Sequence, residues 1–384
     1  MKEKIYYWSP CLNPVGTVKS TINSAIALKR YGGQNYDVYL INACGEWNEF
    51  KDILLKNNVK IFSFGFNYFR FLPKEGFLQS RFSYLFIFLI SFIPFVKLIK
   101  SHKPDFVIAH LITSLPLSIM RLFNFQTQFI LRISGMPRLN FVRKNFWKFI
   151  SKKIFIITCP TIELEDKLKK INLFPKEKLF FLPDAIINFD NFIQKKNENL
   201  KNFENFEKER IIISAGRLTK QKNFSYLISE FSSFCEKNDQ FKLIILGDGE
   251  LKSDLEKKIY ELNLQKKVFL LGFKKNVFNI FKKAEVFVMS SLWEDPGFVM
   301  IEASLSNLFI ISSDCPHGPK EFLNYGENGI LFKNNVRGEL NKSLFEYTQI
   351  SDIRKKKIKA KRNVSKYTKF RHFMKLNKIL SEFK

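Results

Sequence analysis

Residues 285–322 read EVFVMSSLWEDPGFVMIEASLSNLFIISSDCPHGPKEF, and the other segments fall into place around them. Val286 to Met289 is a short β-branched and aromatic run, and Ser290 to Gly297 is rich in turn formers. Phe298 to Leu305 has helical spacing, with a second strand, Leu308 to Ser312, behind it. A strand, loop, helix, strand unit of this kind crosses over right-handedly, and ligands sit at the carboxyl ends of its parallel strands. There the amides of Phe298, Val299 and Met300 form an anion site, and Gly297, lacking a Cβ, lets a phosphate approach the backbone.

Two carboxylates frame the helix start. If the helix opens near Phe298, Glu302 lies one turn in on the same face, an acceptor for vicinal hydroxyls beside the anion site. Glu294, on the loop, projects toward whatever is attached beyond the phosphate. Phosphate, ribose and a further polar group describe a nucleotide-sugar. Two Glu eight positions apart also arise by chance in a charged protein, so the pair gains its meaning from the string around it.

Three other strand exits carry chemistry. Ile211 to Ser214 is a strand followed by AGRLTKQKN, where Arg217 as a planar fork and Lys222 as a point charge can neutralise a diphosphate. Ile5 to Trp8 feeds the loop SPCLNPVGTVKS, whose Gly16 is the close-approach position, although the G-x-G-x-x-G pattern is missing. Pro104 to His110 is a strand closing on His110. LIILGDGE, residues 243–250, reads as turn chemistry without ligand contact. After Phe129 to Ser134, the segment PRLNFVRKNFWKF holds Arg138, Arg143 and Lys144; with Arg132 they either meet an acceptor phosphate or form a plain solvated face.

WEDPGFVMIEA followed by SSDCPHGPKEFL closely resembles the donor-binding segment of the retaining glycosyltransferases of family 4, the bacterial cell-surface polysaccharide and oligosaccharide enzymes among them. GRLTKQKN resembles that family's GR and K positions. The resemblance is strong over the second half of the chain and covers the first only in outline. It implies the GT-B fold, an α/β architecture of two Rossmann-like domains facing across a cleft. The expected division is an acceptor-binding domain over 1–190, a polar linker over 191–209 and a donor domain over 210–366, with a last helix, 367–384, packing back on the first domain. The resemblance also implies that His110 contacts the donor sugar and Glu294 its hydroxyls, and that Gly272 and Phe273 lodge the base. The donor is expected to be UDP-linked, the sugar a hexose or N-acetylhexosamine, and transfer to go with retention by a front-face path. No D-x-D tripeptide occurs, and Arg217, Lys222 and a helix N-terminus can stabilise the departing diphosphate, so neither a metal ion nor another cofactor is expected. A GT-B epimerase, which needs no acceptor, is the competing enzyme reading.

The 384 residues suit two domains. Lys plus Arg number 63 against 36 Asp plus Glu, a net charge of +27 that implies an anionic partner. Part of that excess, like the 44 Phe, follows the residue usage an AT-rich genome imposes. A nucleic-acid binder is supported by charge alone, since no RNA-binding sheet motif or zinc spacing accompanies it. Cys11, Cys44, Cys159, Cys235 and Cys315 show no paired spacing, and MKEKIYYWSP has no apolar core behind its basic start, so a cytoplasmic setting is expected. Phe82 to Val96 is uncharged and flanked by Arg70, Lys74, Arg81, Lys97, Lys100 and Lys103. It is shorter than the ~20 residues of a spanning helix and contains Pro94. It reads as a core helix or as one lying against an anionic membrane surface, where a glycan or lipid-linked acceptor would be met.

Overall fold

The computed structural model describes residues 2–12, 16–73, 77–110, 114–137, 139–199 and 209–382. Arg138 and Lys74 lie outside them. The chain forms two units, Met1–Ile186 with Tyr367–Lys384, and Ile187–Lys366.

In the first unit seven strands are all parallel: β1 (Glu3–Trp8), β2 (Tyr36–Asn42), β3 (Lys60–Ser63), β4 (Phe106–His110), β5 (Gln128–Arg132), β6 (Ile156–Cys159) and β7 (Leu179–Phe181). Their order is β3-β2-β1-β4-β5-β6-β7, so the winding direction reverses between β1 and β4. The strands read as continuous apolar runs because both faces are covered. Alternate residues enter opposite cores: Tyr6, Trp8, Val107, Ala109 and Leu131 on one side, Ile5, Tyr7, Phe106, Ile108 and Ile130 on the other. Helices α1 (Gly16–Gly32) and α2 (Lys51–Lys56) cover the second side, and α3 (Phe77–His102), α4 (Ser114–Leu122), α5 (Phe141–Ile150) and α6 (Ile162–Lys170) cover the first.

The second unit repeats the plan. Six parallel strands, β8 (Arg210–Ala215), β9 (Phe241–Leu246), β10 (Val268–Leu270), β11 (Val286–Met289), β12 (Phe309–Ser313) and β13 (Ile330–Phe332), take the order β10-β9-β8-β11-β12-β13. The reversal falls between β8 and β11. Its helices are α7 (Phe189–Asn197), α8 (Phe224–Cys235), α9 (Lys252–Glu261), α10 (Phe278–Phe281), α11 (Phe298–Leu305), α12 (Pro319–Phe322), α13 (Glu339–Gln349) and α14 (Ile353–Asn363).

One expectation is corrected and one is extended. The polar stretch read as a linker carries α7, because Phe192 finds the Phe278 ring 5.1 Å away and Asn276 donates to Lys195 O at 2.7 Å. The uncharged run is the middle of a 26-residue helix, α3, which continues through Pro94. Proline removes one backbone bond there, and the anchoring of Ile87, Phe95, Leu98 and Ile99 in the core carries the helix across it.

The last helix, α15 (Lys369–Glu382), belongs to the first unit and packs on α1. Phe373, Leu376, Ile379 and Leu380 form its apolar stripe, and Tyr36 donates to Asn377 Oδ1 at 2.6 Å. Beside the stripe, buried His372 has Nδ1 2.6 Å from Pro183 O and Nε2 2.7 Å from Ser24 Oγ. The carbonyl can only accept, so Nδ1 carries the proton and Nε2 accepts from Ser24, a neutral imidazole. Burial pushes its pKa down to about 4. The unfolded chain takes up this proton near pH ~6.5 and the native chain only near the lowered value, so stability is full above that range and falls as pH drops through it. Urea unfolding should show a loss of about 2 kcal/mol at pH 5 from His372 alone. A first unit equally stable at pH 5 and pH 7.5 would contradict the buried neutral ring.

Candidate active site

In doubly wound sheets a crevice opens where the strand order reverses, because the loops leaving the two central strands turn to opposite faces. In the second unit those loops are 216–223, after β8, and 290–297, after β11. They are stitched together. Leu292 N donates to Gln221 O at 2.8 Å, Gln221 Nε2 to Trp293 O at 2.9 Å, and Ser290 Oγ to Lys222 O at 2.8 Å. Across the centre Lys222 Nζ meets Glu294 Oε1 at 2.5 Å, and Ser291 Oγ donates to the same oxygen at 2.5 Å.

Lys222 and Glu294, expected to serve phosphate and sugar separately, are therefore one ion pair with both side chains largely buried. Their charges cancel locally. Arg217 is different: its guanidinium is exposed, and no described residue pairs with it. It is an uncompensated cation at this edge of the sheet.

Helix α11 opens as the spacing predicts, with Gly297 at φ 93° as its N-cap. Met300 N and Ile301 N both bond to Gly297 O, at 3.1 and 3.3 Å. Of the three amides expected to form an anion site, that of Met300 is therefore engaged, which leaves those of Phe298 and Val299 as the candidates. Glu302 is buried one turn in, on the side of Phe298.

Glycines set the spacing of the surrounding loops. A Cβ on Gly247 would lie 1.8 Å from Gly216 O, and one on Gly318 would lie 2.4 Å from Pro296 O. The first contact welds the GDG turn to the loop carrying Arg217, joined by Gly216 N to Leu246 O and Leu218 N to Asp248 O, each 2.9 Å. GDG is thus packing chemistry. The second presses the CPHGP turn onto the loop that carries Glu294. At the end of β10, Gly272 O accepts from Gly247 N at 2.9 Å, and Phe273 is 76% exposed.

In the first unit Gly16 is the first residue of α1, and His110 ends β4 in register with Arg132 at the end of β5. His110 is buried, and its Nδ1 meets no hydrogen-bond partner among the described residues. Burial first, and the Arg132 charge second, hold its pKa well below the ordinary imidazole range, so it is neutral. Arg132 is a correction. Only 1% exposed, it donates through one nitrogen to Leu182 O at 2.6 Å and through another to Asp184 Oδ1 at 2.6 Å, so it braces the sheet edge and is not presented to an acceptor. Asp184 was not singled out in the sequence. Its signal is faint, an acid directly after the last strand, and Ser291, the second donor to Glu294, had none.

A family profile described as "Glycosyl transferases group 1" matches residues 195–364. The chain is 30% identical over 259 residues to the N-acetylgalactosamine-N,N'-diacetylbacillosaminyl-diphospho-undecaprenol 4-alpha-N-acetylgalactosaminyltransferase of Campylobacter jejuni, covering 65% of this chain and 68% of that one. The chain spans about two thirds of the length of two curated relatives it matches (66% and 68%). Among solved structures, a glycosyltransferase from Rickettsia africae superposes with a TM-score of 0.79 at 17% identity, covering 100% of this chain and 98% of that one. An Anabaena protein, HepE, in complex with UDP and glucose, superposes with a TM-score of 0.72 at 15% identity, covering 99% and 100%. The chain belongs to the group 1 glycosyl transferases, and its fold is GT-B, built of two Rossmann-like domains.

The ion pair at the crevice has a measurable signature. Removing one partner of a buried pair strands the other charge, at ~3–5 kcal/mol. Lys222→Met should therefore destabilise the second unit strongly in urea, and Lys222→Met with Glu294→Gln should recover more than half of the loss. Equal losses in the single and double variants would mean that the two side chains are not coupled.

Proposed function

We propose that the protein is a retaining glycosyltransferase that moves a hexose or N-acetylhexosamine from a UDP-sugar to a glycan or lipid-linked acceptor during cell-surface polysaccharide or lipooligosaccharide synthesis. The observation that carries this reading is the constellation at the β8/β11 reversal: an unpaired Arg217, two free amides at the start of α11, and Glu302 one turn behind them. The Campylobacter relative, named for transfer to a diphospho-undecaprenol-linked sugar, supports the acceptor class. The Anabaena structure, with UDP and glucose bound, supports the donor.

Each group has a task. Arg217 and the amides of Phe298 and Val299 take the negative charge that grows on the diphosphate as the anomeric C–O bond breaks. Glu302 accepts from the ribose hydroxyls, and Gly272 and Phe273 border the base. Glu294, fixed by Lys222 and Ser291, accepts from hydroxyls of the transferred sugar. The departing phosphate oxygen takes the proton of the acceptor hydroxyl, whose oxygen bonds the anomeric carbon on the same face, so the configuration is kept. His110 offers a neutral imidazole with a free Nδ1 to a sugar hydroxyl, and Gly16 leaves room at the neighbouring strand exit. The setting is the cytoplasm, at the inner face of the membrane; five free cysteines accord with a reducing compartment.

Arg217→Ala and Glu302→Ala should each weaken UDP binding by roughly ten- to a hundredfold, the worth of a hydrogen bond to a charged group at ~1.5–3 kcal/mol. His110→Ala should lower kcat while leaving UDP affinity unchanged. Calorimetric titration and turnover of labelled donors decide this, and unchanged UDP affinity in both site variants would overturn the assignment.

Charge stabilisation by Arg217 and backbone amides also implies metal-independent transfer. EDTA should leave turnover intact. Activity abolished by EDTA and restored by Mg²⁺ or Mn²⁺ would contradict it.

A further inference from the structure

Helix α3 has two apolar faces. One, with Ile87, Phe95, Leu98 and Ile99, is fixed in the core, where Phe95 meets the Trp8 ring edge-on at 5.1 Å and Ser83 Oγ donates to Pro73 O at 2.7 Å. The other holds Phe82, Leu85, Leu89 and Ile93, which are 63%, 57%, 63% and 64% exposed. Spacings of three, four and four residues put these on one line along the helix, and at ~100° per residue Lys97 and Lys100 continue it. Both lysines are exposed. A single exposed leucine means little, but a stripe of four large side chains on one helix is a contact surface.

The neighbouring helices extend it. Helices α3, α4 and α5 pack in sequence over the same face of the sheet. Arg121 of α4 lies over the Phe149 ring of α5 at 4.7 Å, and Lys100 lies over Phe123 at 5.5 Å. On α5, Phe141, Val142 and Phe149 are exposed, together with Arg143, Lys144 and Lys148. The charge here is of one sign. From residue 77 to residue 162 the only acid is Asp105, which follows the C-terminal end of α3, accepts from Lys4 N and lines a hollow with Ile99 and Lys100.

We propose that this face of α3, continued by α5, is an in-plane docking surface for an anionic lipid bilayer. Apolar side chains bordered by Lys and Arg match the acyl boundary and the headgroups of such a surface. Helix α3 is long enough to cross a membrane, but its inner face is part of the core, so it lies in the surface and does not span. A second copy of the chain fits poorly: an isologous contact would bring Lys97, Lys100, Lys144 and Lys148 against their own copies with no acid between them. The proposal deepens the lipid-linked-acceptor reading and rests on it for its purpose, but vesicle binding needs no substrate and is measured apart from activity.

The test is flotation of the full chain with phosphatidylcholine vesicles, with and without phosphatidylglycerol. The wild type should float with the anionic vesicles at low salt and be released as salt rises. Phe82→Gln/Leu85→Gln/Leu89→Gln/Ile93→Gln, exposed positions whose replacement spares the core, should reduce binding at least roughly tenfold. Lys97→Glu/Lys100→Glu, a second variant that leaves the apolar stripe intact, should do the same. UDP affinity should stay at the wild-type value in both, which keeps a failure of docking distinct from a failure of the donor site. No flotation of the wild type at low salt would overturn the proposal, as would equal flotation of wild type and variants. So would a wild-type dimer that the four-Gln variant dissolves without any vesicle binding.

Discussion

A fully parallel sheet wound in two directions has one place where adjacent strands send their chains to opposite faces. In the second unit that place lies between β8 and β11. The crevice left there would part the two loops unless something crossed it, and the Lys222–Glu294 ion pair does so, with Ser291 as a third member. Burying two charges is costly, and only close geometry with further hydrogen bonds offsets it. Here the carboxylate gains two donors, and the strand-exit loops gain a fixed separation.

Around that pair the site is built almost entirely from backbone. Gly247 and Gly318 let their turns approach the loops after β8 and β11 to distances that any Cβ would forbid. Among the described residues, the groups this site leaves with capacity to donate include the Arg217 guanidinium and the first amides of α11. A rigid frame with positive groups facing outward suits the stabilisation of a departing diphosphate, because little reorganisation is needed when the charge develops. The first unit shows the same device with a different outcome. There the arginine at a strand exit, Arg132, is itself consumed by Asp184 and Leu182, and the neighbouring neutral His110 keeps an Nδ1 without a partner among the described residues.

Much of this was legible in residues 285–322, because a short continuous apolar run, a loop of turn formers, a helical spacing and a second apolar run follow one another within one short stretch, and β11 and α11 follow the reading residue for residue. What was hidden depends on partners far along the chain. Lys222 and Glu294 are 72 positions apart, and Arg132 and Asp184 are 52 apart, so no local pattern reveals that each pair is bonded. Arg132 looked like an acceptor contact because a strand-end arginine in a basic segment has the same local signature whether it faces solvent or a buried acid. Pro94 counted against a long helix, because proline removes a backbone bond, yet packing on both sides of it carries α3 through. The helix α7 was masked by polar composition, since its docking rests on partners far along the chain, Phe278 against Phe192 and Asn276 on Lys195 O.

The account's central claim is that the donor nucleotide lies at the β8/β11 reversal, and a crystal structure with UDP tests it directly. The diphosphate is predicted to accept from the amides of Phe298 and Val299 and from Arg217, with the ribose hydroxyls on Glu302. Nucleotide bound elsewhere in the chain, or at this edge without contact to Arg217 and the α11 amides, would contradict it.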